Sequence, residues 1–219
     1  MTIKRYIFIA AHAAVLVVVT VFLSSAVWAG PGAVVDSLKG TLDKVIEVFN
    51  DQSLKTPEKA DERRAILSQL IRERFDEEEF SMRALGAHWA ERSKEEKGEF
   101  MEVFSALLER TYLDQIDAHL TKAGNFSEKN ILYLSETAKG NYVILSTKII
   151  TGDATEIPVL YLFKNKQGVW VVCDVAIEGV SIAKNYRAQF SEIVAKSSFK
   201  ELVEKLRSKQ QTTSAEQKK

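Results

Sequence analysis

The stretch that decides the fold ends in Asp174-Val175-Ala176-Ile177-Glu178-Gly179-Val180-Ser181, after β-type segments that begin at Asn130. Apolar and polar side chains alternate through residues 142–149 and again through residues 156–164, which is the period of a half-buried strand. Turn residues separate the segments, so we expect about four strands in an antiparallel meander. The predicted inward face carries these side chains: Val143, Leu145, Thr147, Ile149, Ile157, Val159, Tyr161 and Phe163.

The fourth predicted strand, residues 169–177, is apolar on both faces apart from Asp174. A sheet that is covered on both sides explains such a strand. We expect Asp174 to be a partly buried carboxylate held by hydrogen bonds or by a cation, for which Arg187 on the next helix is the candidate. Pro158 lacks the N–H that a ladder requires, so we expect it at a sheet edge or a bulge.

Helical spacing of apolar residues predicts amphipathic helices on both sides of the strands. The first covers residues 33–50, and a second follows Pro57. The longest is expected over residues 94–120, because Ser93 and Glu96 have the spacing of a capping box. Periodicity alone does not separate a solid core from a ligand-lined cavity.

The first 29 residues are typical of a secretory signal peptide. Lys4 and Arg5 precede an apolar run, and Val27 and Ala29 stand at the −3 and −1 positions of a cleavage site. The alternative is a retained membrane anchor, since the run approaches the roughly 20 residues that span a bilayer. We expect a signal peptide over 1–29, one α+β domain over 30–207 and a disordered polar tail over 208–219.

The composition excludes several functional classes. Thirty basic and thirty acidic residues give no net charge, so the basic footprint of a nucleic-acid-binding protein is missing. Cys173 is the only cysteine, which rules out an intramolecular disulfide, and we expect it to be a buried apolar side chain. The sequence contains neither a GxSxG nor an HExxH motif, so we predict no catalytic residue, no metal site and no cofactor.

The order of several segments along the chain resembles the MlaC family of periplasmic phospholipid-binding, toluene-tolerance proteins. The resemblance extends over about Val34 to Leu206 and rests on combined order rather than on one short motif. Its pieces are Phe75-Asp76, Met82, Ala84-Leu85-Gly86, Trp89, Ser93, Tyr112, Pro158-Val159, Trp170 and Asp174 through Ser181.

The resemblance implies a single α+β domain in which helices pack a curved antiparallel sheet, of the nuclear-transport-factor type, around a deep apolar pocket. It implies a carrier that passes phospholipid between an outer-membrane lipoprotein–porin complex and an inner-membrane ABC transporter, which maintains outer-membrane lipid asymmetry. The protein is expected to be a periplasmic monomer with phospholipid as cargo. The candidate lipid-binding residues are Met82, Leu85, Phe104, Leu108, Tyr112, Val143, Leu145, Ile149, Val159, Tyr161 and Phe163.

Three other hypotheses remain open at this point. In the first, the cargo is another apolar lipid such as a hopanoid, and nothing in the sequence distinguishes that cargo from phospholipid. Cone-shaped folds also support enzymes, for which Asp174 with His88 or His119 is the pair to test. The third alternative is a scaffold without a ligand, for which a solid interior is the sign.

Overall fold

The computed structural model describes residues 32–113 and 127–216. The expected signal peptide, residues 1–29, lies outside the described residues. Among the helices of the described part, none is both long and apolar enough to cross a membrane.

Six α-helices lie within the described residues. Asp76 accepts a hydrogen bond from the N–H of Glu79 at the start of α3, and Ser93 and Glu96 form the predicted capping box at the start of α4. The helices are α1 Ala33–Asn50, α2 Ala60–Arg72, α3 Glu77–Leu85, α4 Lys94–Leu108, α5 Ile182–Lys196 and α6 Phe199–Glu216.

Two helix ends differ from the prediction. The α-helical part of α4 ends at Leu108 and is followed by a π-helical turn over Glu109–Leu113, and the rest of the predicted helix lies outside the described residues. Helix α6 continues to Glu216, so the expected disordered tail is helical over residues 208–216. Lys, Gln, Glu and Ala favour helix, and a helix already packed through Leu206 is extended without a new nucleation step.

The strands form one antiparallel sheet in the order β1-β2-β3-β4-β5, which confirms the predicted meander and adds a short fifth strand. The register shifts at Leu134 on β1 and at Cys173 on β4, and such bulges increase the twist and bend of a sheet. The strands are β1 Ile131–Lys139, β2 Tyr142–Ile150, β3 Glu156–Lys166, β4 Val169–Ile177 and β5 Val180–Ser181.

Pro158 lies on an interior strand, so the expectation of an edge or bulge is wrong. It pairs with Lys148 on β2, and the pairing of β3 with β4 ends at the next residue, Val159. The carbonyl of Pro158 accepts a hydrogen bond from the N–H of Glu178, at 2.9 Å. The N and O atoms of one strand residue point to the same side of the strand, which for Pro158 is the side of β4. An N–H at Pro158 would therefore point to a place where the ladder with β4 has already ended.

The buried apolar residues fall into three separate clusters. We call the first the helical cluster, formed by α3, α4, α5 and α6 around Phe80, Phe100, Phe104 and Phe190. The second, the sheet cluster, joins α1 to the inner face of the sheet through Val34, Leu38, Val143, Leu145, Phe163, Trp170 and Val172. A third, smaller cluster contains Phe49, Leu67 and Leu113.

Helix α1 is attached to the sheet by polar contacts as well as by apolar ones. The carboxylate of Glu136 on β1 accepts hydrogen bonds from the N–H groups of Gly32 and Val35, at 3.2 and 3.0 Å. It therefore accepts hydrogen bonds from backbone N–H groups at the start of α1, where the N-cap residue provides no side-chain acceptor. Ser37 donates to the carbonyl of Trp170, at 3.4 Å, on the far side of the sheet cluster.

Candidate functional site

The inner face of the sheet is filled at one end. Val143, Phe163 and Val172 are cross-strand neighbours on β2, β3 and β4, and all three are buried against α1. In the next row along the sheet, Leu145 is fully buried as well. This end is an ordinary core between a helix and a sheet.

Toward the other end, burial of the same face is uneven: Thr147 and Val159 are buried, but other side chains keep accessible area. Tyr161 and Val175 are opposite one another on β3 and β4, and both are only partly buried. Large apolar side chains that hold a core are normally buried completely, so this half of the face is a partly open apolar surface. The other half-buried apolar residues on it are Ile149, Ile157 and Ile177.

Tyr161 brings a hydroxyl to this half-buried surface. Its side chain retains accessible area, yet burial among the surrounding groups raises the pKa of its hydroxyl to about 12.

Six of the predicted lipid-binding residues lie together on this inner face. Val143, Leu145, Val159 and Phe163 are buried on it, while Ile149 and Tyr161 are half-buried. The alternation in β2 and β3 therefore assigned the inward face correctly.

The other five predicted residues belong to the helical layer. Leu85 and Phe104 are buried inside the helical cluster, Leu108 and Tyr112 are partly buried against it, and the side chain of Met82 is 37% exposed. We had expected Phe104 to line the pocket over the sheet, but its ring packs on Phe80 and Phe100 instead, with centroids 5.5 and 5.3 Å away. Helical periodicity identifies the residues that share a face but not the surface on which that face packs.

Three residues of the sheet cluster were missed by the sequence analysis. Leu42 on α1, Tyr133 on β1 and Val175 on β4 are all partly buried against it. Leu42 belongs to the apolar stripe of the first helix, so that stripe was a usable signal. Val175 lies in a strand that is apolar on both faces, where no alternation marks the inner side.

Asp174 is a structural group, and Arg187 is not its partner. The Asp174 carboxylate accepts hydrogen bonds from the Ser181 hydroxyl at 2.5 Å and the Ala183 N–H at 3.1 Å, so it holds the first turn of α5. Arg187 instead donates to the carbonyl of Arg83 at 2.7 Å. The ring of His88, which was suggested as the partner of Asp174 in an enzyme, approaches Glu91 at 3.7 Å. His119 lies outside the described residues.

A buried ionic network fastens α3 to the opposite, outer face of the sheet. Glu79 accepts hydrogen bonds from Tyr142 and Lys164, both at 2.8 Å, and pairs with Arg83. Burial alone would raise the pKa of Glu79, but the bonds from Lys164 and Tyr142 and the charges of Lys164 and Arg83 outweigh it and hold the pKa below its usual value.

Two further observations concern reactive and metal-binding groups. Cys173 is fully buried, as predicted, and burial raises the pKa of its thiol to about 12, so it is unreactive in the folded state. In residues 32–113 and 127–216, no group of three or more His, Cys, Asp or Glu side chains is placed to hold a metal ion.

A groove of about 490 Å³ lies beside the start of α3, away from the inner face. Its walls combine acidic groups, Lys166 and a few apolar side chains, and Asp76 pairs with Lys166 at 2.9 Å. The groove is open to solvent and is lined by charged groups of both signs, which does not suit an apolar ligand.

The chain matches the MlaC protein family over residues 39–208. A curated relative, the intermembrane phospholipid transport system binding protein MlaC of Haemophilus influenzae, is 27% identical over 130 residues, which is 57% of this chain and 57% of the relative. The chain thus spans just over half the length of that relative.

A solved structure shares the fold. It is the phospholipid-binding protein from Ralstonia solanacearum in complex with a phospholipid, with a TM-score of 0.68 at 21% identity, and the match covers 81% of this chain and 96% of the other. The five-stranded antiparallel sheet packed by helices is therefore a known architecture. Since the family match extends over most of the sequence, this chain belongs to the MlaC family.

Proposed function

We propose that the protein binds phospholipid by its acyl chains over the half-buried part of the inner sheet face. The observation that carries this proposal is the set of half-buried apolar side chains on that face, Ile149, Ile157, Tyr161 and Ile177, in a chain of the MlaC family. The relative from Haemophilus influenzae is named as a phospholipid transport binding protein, and the structure from Ralstonia solanacearum contains a phospholipid, which supports the same cargo.

The size of the hydrophobic effect explains why a lipid needs such a carrier. Each buried CH₂ contributes about 0.8 kcal/mol, so two long acyl chains represent on the order of 20 kcal/mol. A protein that moves such a molecule through water has to offer a continuous apolar surface that its own side chains leave unfilled. The graded burial of the inner face, complete near Val143 and partial near Ile149, is consistent with that requirement.

We further propose that the protein works in the periplasm and passes lipid between outer- and inner-membrane complexes, which maintains the lipid asymmetry of the outer membrane. No bond is made or broken in this task. The structural use of Asp174 at the start of α5 agrees with a non-enzymatic role, because it removes the acidic group that seemed best placed for catalysis.

The test is to identify what the protein carries. The chain is expressed with its export signal, purified without detergent and extracted with organic solvent, and the extract is analysed by mass spectrometry. We expect phospholipid at close to one molecule per protein. A terpenoid lipid in its place would establish the hopanoid alternative, and a protein that is empty and takes up no phospholipid from vesicles would refute the proposal.

A further inference from the structure

Three hydroxyl-bearing side chains lie next to one another on the otherwise apolar inner face. Tyr133 on β1 is the cross-strand partner of Thr147 on β2, and Thr147 is opposite Val159, two residues before Tyr161 on β3. The Thr147 hydroxyl also interacts with that of Tyr161. We call Tyr133, Thr147 and Tyr161 the hydroxyl row.

The hydrogen bonds of this row are incomplete. Thr147 is fully buried and donates to the carbonyl of Val159, at 3.1 Å. The hydroxyl oxygen of Tyr133 is buried as well, but it has no hydrogen-bond partner in the described part of the chain. Buried hydroxyls are almost always paired, and an unpaired one lowers stability. Within residues 32–113 and 127–216, no group supplies an acceptor for this hydroxyl.

The surroundings of Tyr133 indicate what kind of acceptor fits. On one side it packs, as Tyr161 and Val175 also do, against the buried residues of the sheet cluster. On the other side it lies within electrostatic range of Glu128, Asp43 and Lys39, and Lys39 forms an ion pair with Glu128. The hydroxyl row thus separates an apolar surface from a charged rim between α1 and the start of β1.

An ester-linked lipid has groups in the matching order: apolar hydrocarbon chains, then polar carbonyl oxygens, then a charged head group. We propose that Tyr133 donates a hydrogen bond to an acyl carbonyl oxygen of the cargo, with Thr147 and Tyr161 completing the polar row. This inference rests on the proposed function and makes Tyr133 a specificity-determining residue. It selects lipids with acyl carbonyls over ether lipids and terpenoids, which lack them.

The test compares two phosphatidylglycerols with the same head group and sixteen-carbon chains, one with ester and one with ether linkages. Each probe competes for delipidated full-length mature protein. We expect the wild type to prefer the ester probe by about five- to twenty-fold, the range of one hydrogen bond made away from water. Tyr133→Phe is expected to lower ester binding to the ether level and to leave ether binding unchanged.

Two variants serve as controls. Tyr142→Phe makes the same chemical change on the opposite face of the sheet, where the hydroxyl bonds Glu79, and should keep the full ester preference. Tyr161→Phe should reduce the preference in the same direction as Tyr133→Phe, and it provides a second test if either protein is poorly folded. Delipidated Tyr133→Phe should melt at least as high as the wild type, since it loses an unpaired buried hydroxyl.

The outcomes separate the two proposals. Equal binding of the ester and ether probes to the wild type would overturn the role of Tyr133 while leaving the phospholipid carrier intact. If neither probe binds the wild type, both proposals fail. Palmitic acid is the third probe: if it alone shows the dependence on Tyr133, the carbonyl contact stands with a free fatty acid as its source, and the diacyl assignment is overturned.

Discussion

The helical cluster and the inner sheet face are both apolar, but only one of them is filled. In the helical cluster, the rings of Phe80, Phe100, Phe104, Tyr186 and Phe190 lie with their centroids 5.0 to 5.6 Å apart. The far half of the sheet face keeps accessible apolar surface instead. The contrast indicates that the helical layer stabilises the fold, which leaves part of the sheet available for a ligand.

The largest expected effect tests that division directly. Phe104→Ala should lower the free energy of unfolding by about 3–5 kcal/mol, because it leaves a cavity among rings that cannot collapse into it. Ile149→Ala, on the half-buried sheet face, should cost no more than about 1–2 kcal/mol. Urea denaturation of the delipidated proteins measures both, and equal losses would contradict the division of roles.

The second prediction concerns the joint between the two regions. Asp174→Ala should destabilise the protein by about 1.5–3 kcal/mol, because the first turn of α5 loses a charged acceptor for Ser181 and Ala183. Asp61→Ala is the matched control, since the Asp61 side chain is 98% exposed and should cost less than about 0.5 kcal/mol. A loss no larger than that of the control would show that α5 is held without this carboxylate.

The third prediction concerns a bulky substitution on the inner sheet face. Ile149→Trp, on the half-buried part of the inner face, should reduce the affinity for phospholipid about ten-fold, which is about 1.4 kcal/mol, because the indole covers apolar surface proposed for the acyl chains. Leu160→Trp places the same group on the outer face, where Leu160 is 37% exposed, and should leave binding unchanged. Circular dichroism checks the fold of both, and identical affinities would refute the assignment of the inner face.

The smallest effect is a dependence on pH. The folded-state pKa of Glu79 lies below its ordinary value of 4.5, so the carboxylate contributes stability that is fully present above pH 4.5. That contribution is lost as the pH falls from 4.5 through the lower folded-state pKa. Glu79→Gln should therefore show a shallower loss of stability in acid than the wild type, as measured by denaturation at a series of pH values, and parallel curves would exclude Glu79 as a source.

The strands and the first helix could be predicted because their signals are local. Alternation in β2 and β3 is sufficient to place Val143 and Phe163 on one face, and the apolar stripe of α1 is sufficient to give its bounds. Phe104 and Arg187 could not be placed in this way, since the surface on which a helix packs depends on elements far away in sequence. An apolar pocket was expected only from the family resemblance, because an unfilled space leaves no pattern in the residues that surround it.

The attachment of α1 has a consequence for the order of folding. Its contacts reach Glu136 and Trp170, which follow it by 104 and 133 residues in the sequence. Helix α1, the first of the described helices, therefore cannot reach its final position until nearly the whole sheet has been made. Such distant contacts slow folding, so we expect α1 to pack against the sheet late in folding.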